Sequence, residues 1–345
     1  RLTALTSLNL SRCFLRGLPG CMGQVTALTT LVLSGDWFTE LPESMGQLTA
    51  LTSLDLGPCG SLTLLPRSMG QLTALTSVDL RFCRLLRELP ESMGQLAALT
   101  RLHIRTCESL TGLPESMGQL TALTSLVLRV CESLTMLPES SGQLEALTSL
   151  DLEDCVFLKA LPESIGQLSA LSSLNLTHCS SLAELPEAMG RLTALTSLHL
   201  SLCWSLTELP ESMGQLSALP SLDLIGCSSL TELPESIGRL TALTSLDLSG
   251  CKSLTVLPES MGQLTALTSL NLSGCKMLTE LPECIGQLQA MYRLDLSHCN
   301  LIYPPQPVAV KGIEAVKAFL QACAKGTAML QLDRLMLLGD GGAGK

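Results

Sequence analysis

Three arginines, Arg81, Arg105 and Arg129, recur at intervals of 24 residues and could together hold an anion. A guanidinium group binds a carboxylate or a phosphate through two parallel hydrogen bonds. Side by side on adjacent strands, however, like charges repel each other unless an anion offsets them. The sequence leaves two interpretations open: a solvated stripe that is partly paired within the chain, or a binding site for an anionic group of a ligand. The acidic residues expected to pair with the stripe are Asp79, Glu108 and Glu132.

A second kind of chemistry is suggested by the segment GDGGAGK at 339–345, which matches the pattern GxxxxGK. Glycines in this pattern let successive backbone N–H groups surround phosphate oxygens, and the lysine adds a positive charge. The preceding apolar segment, 334–338, predicts the buried strand that the motif requires. A flexible glycine-rich tail is the alternative. The predicted phosphate-binding residues are Gly339, Gly344 and Lys345.

The cysteines and histidines offer less. Twelve of the fifteen cysteines, Cys13 and then Cys59 to Cys299 in steps of 24, share one repeat position. In stacked strands the Cα–Cβ bonds of neighbouring cysteines would run parallel, which disfavours disulfides. We therefore predict a ladder of buried thiols and a reducing, cytoplasmic location. The four histidines do not converge, and a metal site needs three or four ligands. No nucleophile and base stand out, so we expect no catalytic residues and no enzyme activity.

All of these residues are positioned by an internal repeat. Thirteen units of about 24 residues fit the sequence, and Leu51, Leu54, Leu56 and Cys59 mark the framework of one of them. Their spacing, LxxLxLxxC, is that of the leucine-rich repeat. Each unit predicts a short strand followed by a helical or 3₁₀ turn in its LPESMGQ half. The predicted fold is therefore an α/β right-handed solenoid, a horseshoe with a concave parallel sheet.

The second half of each unit is expected to cover the convex side. Gly70 is assigned there to a tight turn because glycine is conformationally permissive. The repeated glutamates, for example Glu91, Glu115 and Glu163, are interpreted as a solvated acidic surface. They supply much of the net charge of −10, which argues against nucleic acid as a partner. No apolar stretch reaches the roughly 18 residues that a membrane-spanning helix needs.

Differences among the units indicate where a ligand binds. Variation concentrates at three solvent-facing strand positions and at the residue after the recurring cysteine. Along the units this face is cationic, then acidic, then apolar, and apolar groups flanked by charge resemble a protein interface. We therefore predict a protein or peptide ligand across units 4 to 10. The predicted contact residues are Arg81, Phe82, Arg105, Arg129, Val130, Glu153, Asp154, His178, Leu202, Trp204 and Ile225.

The composition changes after the repeats. The breaker YPPQP at 303–307 precedes apolar residues at helical spacing in 311–324, which predict a helix that caps the last unit. The predicted division is thus 1–302 for the repeats, 303–326 for the breaker and capping helix, and 327–345 for a linker, a strand and a truncated phosphate-binding loop. Such a chain is expected to be part of a longer protein.

This order of segments resembles the Roco family, in which leucine-rich repeats precede a Ras-like GTPase domain, Roc, and a dimerising domain, COR. The resemblance implies that Gly339, Gly344 and Lys345 begin a Roc domain. It also implies that GTP and Mg²⁺ are cofactors of the full-length parent, with none for this chain. The repeats and GDGGAGK are also similar to those of plant intracellular immune receptors, so a STAND-type ATPase is an alternative parent. The chain would then be the sensor segment of a signalling protein, or else an autoinhibitory module that folds onto its own downstream domains.

Overall fold

Each sequence unit contributes one three-residue strand to a single parallel sheet, in a computed structural model that describes residues 4–13, 17–35 and 38–325. The thirteen strands lie in chain order, and neighbours register at equivalent positions, as in Ser53 with Ser77. The strands are β1 Ser7–Asn9, β2 Thr30–Val32, β3 Ser53–Asp55, β4 Ser77–Asp79, β5 Arg101–His103, β6 Ser125–Val127, β7 Ser149–Asp151, β8 Ser173–Asn175, β9 Ser197–His199, β10 Ser221–Asp223, β11 Ser245–Asp247, β12 Ser269–Asn271 and β13 Arg293–Asp295. The predicted solenoid of about 24-residue repeats is confirmed.

The return half of each unit forms a five-residue 3₁₀ helix, as expected for short turns. Each begins after a proline in extended conformation, such as Pro186 with φ −68° and ψ 149°, and proline suits this entry because it needs no N–H partner there. The 3₁₀ helices are Gly20–Gln24, Glu43–Gln47, Arg67–Gln71, Glu91–Gln95, Glu115–Gln119, Glu139–Gln143, Glu163–Gln167, Glu187–Arg191, Glu211–Gln215, Glu235–Arg239, Glu259–Gln263 and Glu283–Gln287.

The core is a continuous stack of the framework side chains. Leu54 and Leu56 are both buried, whereas Ser53 and Asp55 on the opposite face are half-buried. Because every unit repeats this arrangement, each framework leucine packs between its equivalents in the neighbouring units. The alternation leaves one face of the sheet, which we call the concave face, free to contact a partner.

The glycine of the 3₁₀ helix has a different role from the one predicted. Gly70 does not have positive φ, so the turn does not need the conformational freedom of glycine. A Cβ at Gly70 would instead lie 2.5 Å from the carbonyl oxygen of Ser92 in the next unit. Glycine is required because successive 3₁₀ helices pack backbone against backbone.

The repeated glutamates are also more than a solvated surface, and that interpretation is corrected. The Glu91 carboxylate accepts a hydrogen bond from the backbone N–H of Ser116 in the next unit at 3.1 Å. Glu163 does the same for Ala188 at 3.3 Å. Each such glutamate caps the exposed N–H groups at the start of the following 3₁₀ helix, which a helix cannot satisfy by itself. The acidic ladder therefore ties neighbouring units together.

The predicted capping helix is present as α2 Ile313–Ala324, after a short helix, α1 Gln306–Ala309, that the breaker did not suggest. Pro307 is tolerated in α1 because it lies in the first turn, where its missing N–H costs nothing. Phe319 of α2 is buried and contacts the Tyr303 ring edge-on at 5.4 Å. The Lys317 ammonium donates to the Met291 carbonyl at 2.5 Å, which ties α2 to the last unit. The segment 327–345 lies outside the described residues.

One junction in the sheet is weaker than the others. In most units a threonine donates both its N–H and its hydroxyl to the preceding threonine carbonyl, as Thr76 does to Thr52 at 2.8 and 3.0 Å. Pro220 occupies this place in unit 10 and can donate neither bond. Strands β9 and β10 accordingly register only at Asp223 and His199, whereas β10 and β11 register at three residue pairs.

Replacing this proline should therefore stabilise the sheet. Pro220→Thr restores the two donors, and the expected net gain is about 1 kcal/mol after allowing for the lost rigidity of proline in the unfolded chain. Urea unfolding measures it. Ala97→Thr, which adds the same side chain at an exposed position outside the ladder, should have no effect. A Pro220→Thr variant no more stable than the parent would contradict this account of the junction.

Candidate recognition surface

The strand ends on the concave face are set by a recurrent turn. In nine units an aspartate or asparagine ends the strand, and its side-chain oxygen accepts the N–H two residues later, as Asp79 does from Arg81 at 2.9 Å. Short polar side chains commonly stabilise turns in this way. These residues therefore have a structural role, and the recurrence of Asp or Asn at one repeat position is the signal for it in the sequence. The four strand ends without this cap are Val32, His103, Val127 and His199.

The next position along the turn carries side chains in an unfavourable backbone conformation. Six successive units, 4 to 9, have φ between 56° and 62° there, and we call these residues the turn row: Phe82, Thr106, Val130, Asp154, His178 and Leu202. Units 10 to 12 place Gly226, Gly250 and Gly274 at the same position, also with positive φ. A non-glycine residue in this region costs about 1–2 kcal/mol. The turn row was predicted as part of the strand face, but it lies beside the sheet on the following turn.

At the two ends of the turn row, burial of the side chain does not offset the conformational free energy that positive φ costs. Phe82 and Leu202 remain 39% and 37% exposed. Strained residues that keep exposed apolar side chains are typical of binding surfaces, because strain tends to collect at functional sites. The turn row therefore gives units 4 to 9 an unbroken run of side chains in this conformation, which Arg12 and His298 also adopt in units 1 and 13.

The arginine stripe is only partly neutralised within the chain. Arg81 pairs with Asp79 at 2.7 Å, as predicted, but Arg129 pairs with Asp151 at 3.7 Å and with Glu153. Among the described residues, no carboxylate pairs with Arg105. Burial raises the pKa of Asp151 even though Arg129 lies beside it.

Two of the acidic partners expected for the stripe do not contact it. Glu108 pairs with Arg84 at 3.4 Å, outside the stripe, because both follow the recurring cysteine on neighbouring turns. Glu132, at the same position in the next unit, forms no ion pair with any described residue. The partners of Arg129 come instead from the strand end and turn of unit 7. The ionic pairing thus runs across the concave face.

A compact group joins three of the predicted contact residues. The Asp154 carboxylate lies 2.5 Å from Nδ1 of His178, and the His178 ring contacts the Trp204 ring edge-on at 5.0 Å. The aspartate orients the imidazole, and the imidazole in turn orients the indole, which is 48% exposed. We call Asp154, His178 and Trp204 the aromatic triad. Two of its members belong to the turn row.

An apolar patch is formed by exposed side chains of units 9 and 10. Leu202 donates its backbone N–H to the carbonyl of Ile225 at 2.6 Å, so these two residues lie side by side on neighbouring units. Ile225 is 38% exposed. An exposed tryptophan held by a neighbouring ring, with exposed aliphatic side chains in the same unit and the next, has the composition of an interface hot spot. Of the predicted contact residues, the structure thus joins Asp154, His178 and Trp204 in one group and Leu202 with Ile225 in another.

The cysteine ladder lies directly beneath this surface. The eleven ladder cysteines from Cys59 to Cys299 are buried, as predicted, and the thiol of each donates to a carbonyl of the preceding unit, as Cys155 does to Leu128 at 2.9 Å. Burial raises the pKa of the Cys131 and Cys227 thiols to about 12. The thiols therefore serve packing and turn geometry.

Metal sites and membrane-spanning helices are not found in the described part of the chain. There, no three His, Cys, Asp or Glu side chains are grouped so that they could hold a metal ion. No helix within 4–13, 17–35 and 38–325 is long and apolar enough to cross a membrane. Gly339, Gly344 and Lys345, the predicted phosphate-binding residues, lie outside the described residues.

Comparisons with known proteins agree with this architecture. The family described as "Disease resistance protein RPS4B-like, leucine-rich repeats" matches residues 191–281. A leucine-rich-repeat protein of Leptospira interrogans is 28% identical, with a TM-score of 0.51, over 90% of this chain and 94% of its own. The leucine-rich-repeat domain of the type III effector XopL is 29% identical, with a TM-score of 0.58, over 64% of this chain and 76% of its own.

The same fold occurs in a more distant protein. The Drosophila receptor Toll, in its complex with Spatzle, is 20% identical over 89% of this chain and 44% of its own, with a TM-score of 0.62. No curated protein sequence is significantly similar to the chain. The parallel sheet, the 3₁₀ turns, the repeat period and these likenesses together show that the chain contains a leucine-rich-repeat region.

Proposed function

We propose that this chain is a recognition scaffold that binds a protein or peptide ligand along the concave face and the turn row of units 4 to 10. The observation that carries the proposal is the aromatic triad with its apolar patch, where Trp204 is held by His178 yet remains half exposed. Solenoids commonly use such extended surfaces for binding. Catalysis is no part of the proposal, because the side chains brought together on this surface orient and contact one another without a nucleophile among them.

The turn row supports the same placement. Its side chains remain in units 4 to 9 at a conformational cost that glycine avoids in units 10 to 12. The Toll–Spatzle complex shows one protein of this fold bound to a protein partner, which is consistent with the proposal.

Peptides selected from a random library on the purified chain would test the proposal. Trp204→Ala and His178→Ala should each weaken binding of the selected peptides by about 2 kcal/mol, roughly 30-fold, if the triad is a hot spot. Met136→Ala is the matched control, since Met136 is 65% exposed but lies next to a 3₁₀ helix away from the sheet face. Binding that both triad variants leave unchanged would contradict the proposed site.

The identity of the longer parent protein is also a proposal. The segment GDGGAGK and its place after the repeats support a Roco-like signalling GTPase as the parent, cytoplasmic, with GTP and Mg²⁺ bound by the parent's downstream domain. A STAND-type ATPase is the alternative parent. The match of residues 191–281 to repeats of a disease-resistance protein supports a role in immune recognition.

Autoinhibition is the second candidate function, and the same surface could serve it. Arg105, which no carboxylate of the described residues neutralises, and the apolar patch could contact the parent's own downstream domains. An autoinhibitory module should bind those isolated domains and lose that binding in Trp204→Ala. A sensor should bind a foreign polypeptide and leave the isolated domains unbound.

A further inference from the structure

Units 5 and 6 differ from the rest of the sheet in one structural detail. They are the only adjacent units within the described residues in which both strand ends lack the aspartate or asparagine cap, having His103 and Val127 instead. The backbone turn is nevertheless unchanged, because Thr106 and Val130 have φ of 58° and 56°, close to the 60° of Phe82 in a capped unit. The N–H groups of Arg105 and Arg129 therefore sit in the usual turn without a side-chain oxygen to accept them.

Among the described residues, neither N–H group has any other hydrogen-bond acceptor. In the capped units on either side, Arg81 and Glu153 donate the equivalent N–H to an aspartate oxygen at 2.9 and 3.1 Å. Neighbouring parallel strands lie about 4.8 Å apart, so the two uncapped N–H groups form a pair of donors on the concave face. The fold at this place is already suited to a carboxylate oxygen.

The charges around the pair favour an anion. Arg101, His103 and Arg105 alternate with the buried Leu102 and Ile104, so all three cationic or ionisable side chains lie on the concave face of unit 5. Neither Arg101 nor Arg105 pairs with a carboxylate in the described part of the chain.

The neighbouring arginines are already paired. On one side Asp79 neutralises the charge of Arg81, and the Asp79 carboxylate also lies 3.9 Å from Nδ1 of His103. On the other side Asp151 and Glu153 neutralise the charge of Arg129. These carboxylates bound the site, and they confine an incoming anion to units 5 and 6.

We propose that the uncapped N–H groups of Arg105 and Arg129, together with the Arg101 and Arg105 guanidinium groups, form a subsite for a carboxylate group of the polypeptide ligand. The ligand oxygen accepts the bonds that an aspartate side chain accepts in capped units. Only the polypeptide nature of the natural ligand rests on the proposed function; the carboxylate chemistry rests on the caps and the charges. The subsite and the apolar patch would then bind two different parts of one ligand.

The full chain, labelled with ¹⁵N, should show this subsite directly. Titration with sodium acetate should shift the Arg105 and Arg129 amide signals saturably, whereas sodium chloride at equal ionic strength should not. His103→Asn installs the cap that Asn175 provides in unit 8, at 3.0 Å from the Thr177 N–H, without adding charge. We expect this variant to bind acetate about tenfold more weakly, since it loses a charge-assisted hydrogen bond.

His199→Asn is the matched control, because it makes the same change at a strand end flanked by Ser197 and Ser201 instead of arginines. It should bind acetate as the parent does. Arg105→Gln, which leaves the turn uncapped, should weaken binding about tenfold as well. An acetyl dipeptide with a free C-terminus and an amidated peptide with an aspartate side chain separate the two sources of carboxylate, and binding of either supports the subsite.

Three results would overturn the subsite. They are amide shifts equal to those in chloride, acetate binding in His103→Asn equal to that of the parent, and tighter binding of inorganic phosphate than of acetate. These results are independent of Trp204, so a failed subsite and a failed apolar patch can be told apart.

Discussion

Raising the pH from about 8 to about 10 is expected to unfold this chain, because the ladder thiols bind their protons more tightly when folded. Burial raises the pKa of Cys131 and Cys227 to about 12, and an unfolded cysteine has a pKa of about 8.5. The neutral thiol is thus favoured in the folded state. The stability due to each thiol is fully present below about pH 8.5 and is lost as the pH rises towards 12.

The size of this effect comes from repetition. Each thiol costs about 1.4 kcal/mol of the free energy of unfolding per pH unit above its unfolded pKa. The pKa is raised in nine ladder thiols, those of Cys107, Cys131, Cys155, Cys179, Cys203, Cys227, Cys251, Cys275 and Cys299. A typical domain has a free energy of unfolding of only about 5–15 kcal/mol in total. Tyr303, whose pKa is also raised by burial, adds to the effect only above about pH 10, where an unfolded tyrosine ionises.

Urea unfolding at a series of pH values, with a reducing agent present, measures this prediction. The double variant Cys131→Asn and Cys227→Asn is the control, since asparagine is the other residue typical of this repeat position and does not titrate. Its stability should fall less steeply between about pH 8.5 and 10, by the contribution of two thiols. A free energy of unfolding that is constant over that range would show that the ladder thiols are not held neutral by burial.

The repeat itself was fully accessible from the sequence. The spacing of Leu54, Leu56 and Cys59 predicts the strand, the buried face and the thiol ladder, because each depends only on side-chain polarity and period. The capping helix was likewise visible in the spacing of Val316, Phe319 and Leu320. These features can be predicted because the same pattern repeats in every unit, so a misinterpreted residue in one unit does not change the predicted fold.

The roles of the polar residues were harder to predict, since they depend on contacts between units. Glu91 reads as a surface residue in its own unit, and only the stacking of the next 3₁₀ helix makes it a cap. Arg129 is likewise neutralised by residues 22 and 24 positions later in sequence, Asp151 and Glu153, and not by nearby Glu132. The turn row could have been found, because Gly226, Gly250 and Gly274 mark the position where the backbone turns to positive φ.

Gly214→Ala is expected to destabilise the chain by about 3 kcal/mol, the largest loss we predict for adding a single methyl group. The new Cβ would lie 2.4 Å from the carbonyl oxygen of Ser236 and 2.7 Å from its Cβ, both closer than atoms approach in folded proteins. Ser236 is itself buried, so it cannot move away without opening the stack. Because the 3₁₀ helices of units 9 and 10 pack here, separating them also lengthens the hydrogen bond from Ser236 N–H to Glu211, now 3.2 Å.

The matched control is Gly112→Ala, since a Cβ at Gly112 meets nothing within 4 Å and its φ is not positive. That variant should be at least as stable as the parent, because alanine restricts the unfolded chain more than glycine does. Both are measured by urea unfolding at neutral pH. If Gly214→Ala also proved neutral, the units would have room to separate, and close packing of the 3₁₀ helices could not be the reason for glycine there. A loss confined to Gly214→Ala would instead show that a large share of the stability of the solenoid comes from its convex side. That side lies away from the surface that we assign to recognition. The stack of 3₁₀ helices and their glutamate caps would then hold the units in register, and the strained turn row could be kept for binding.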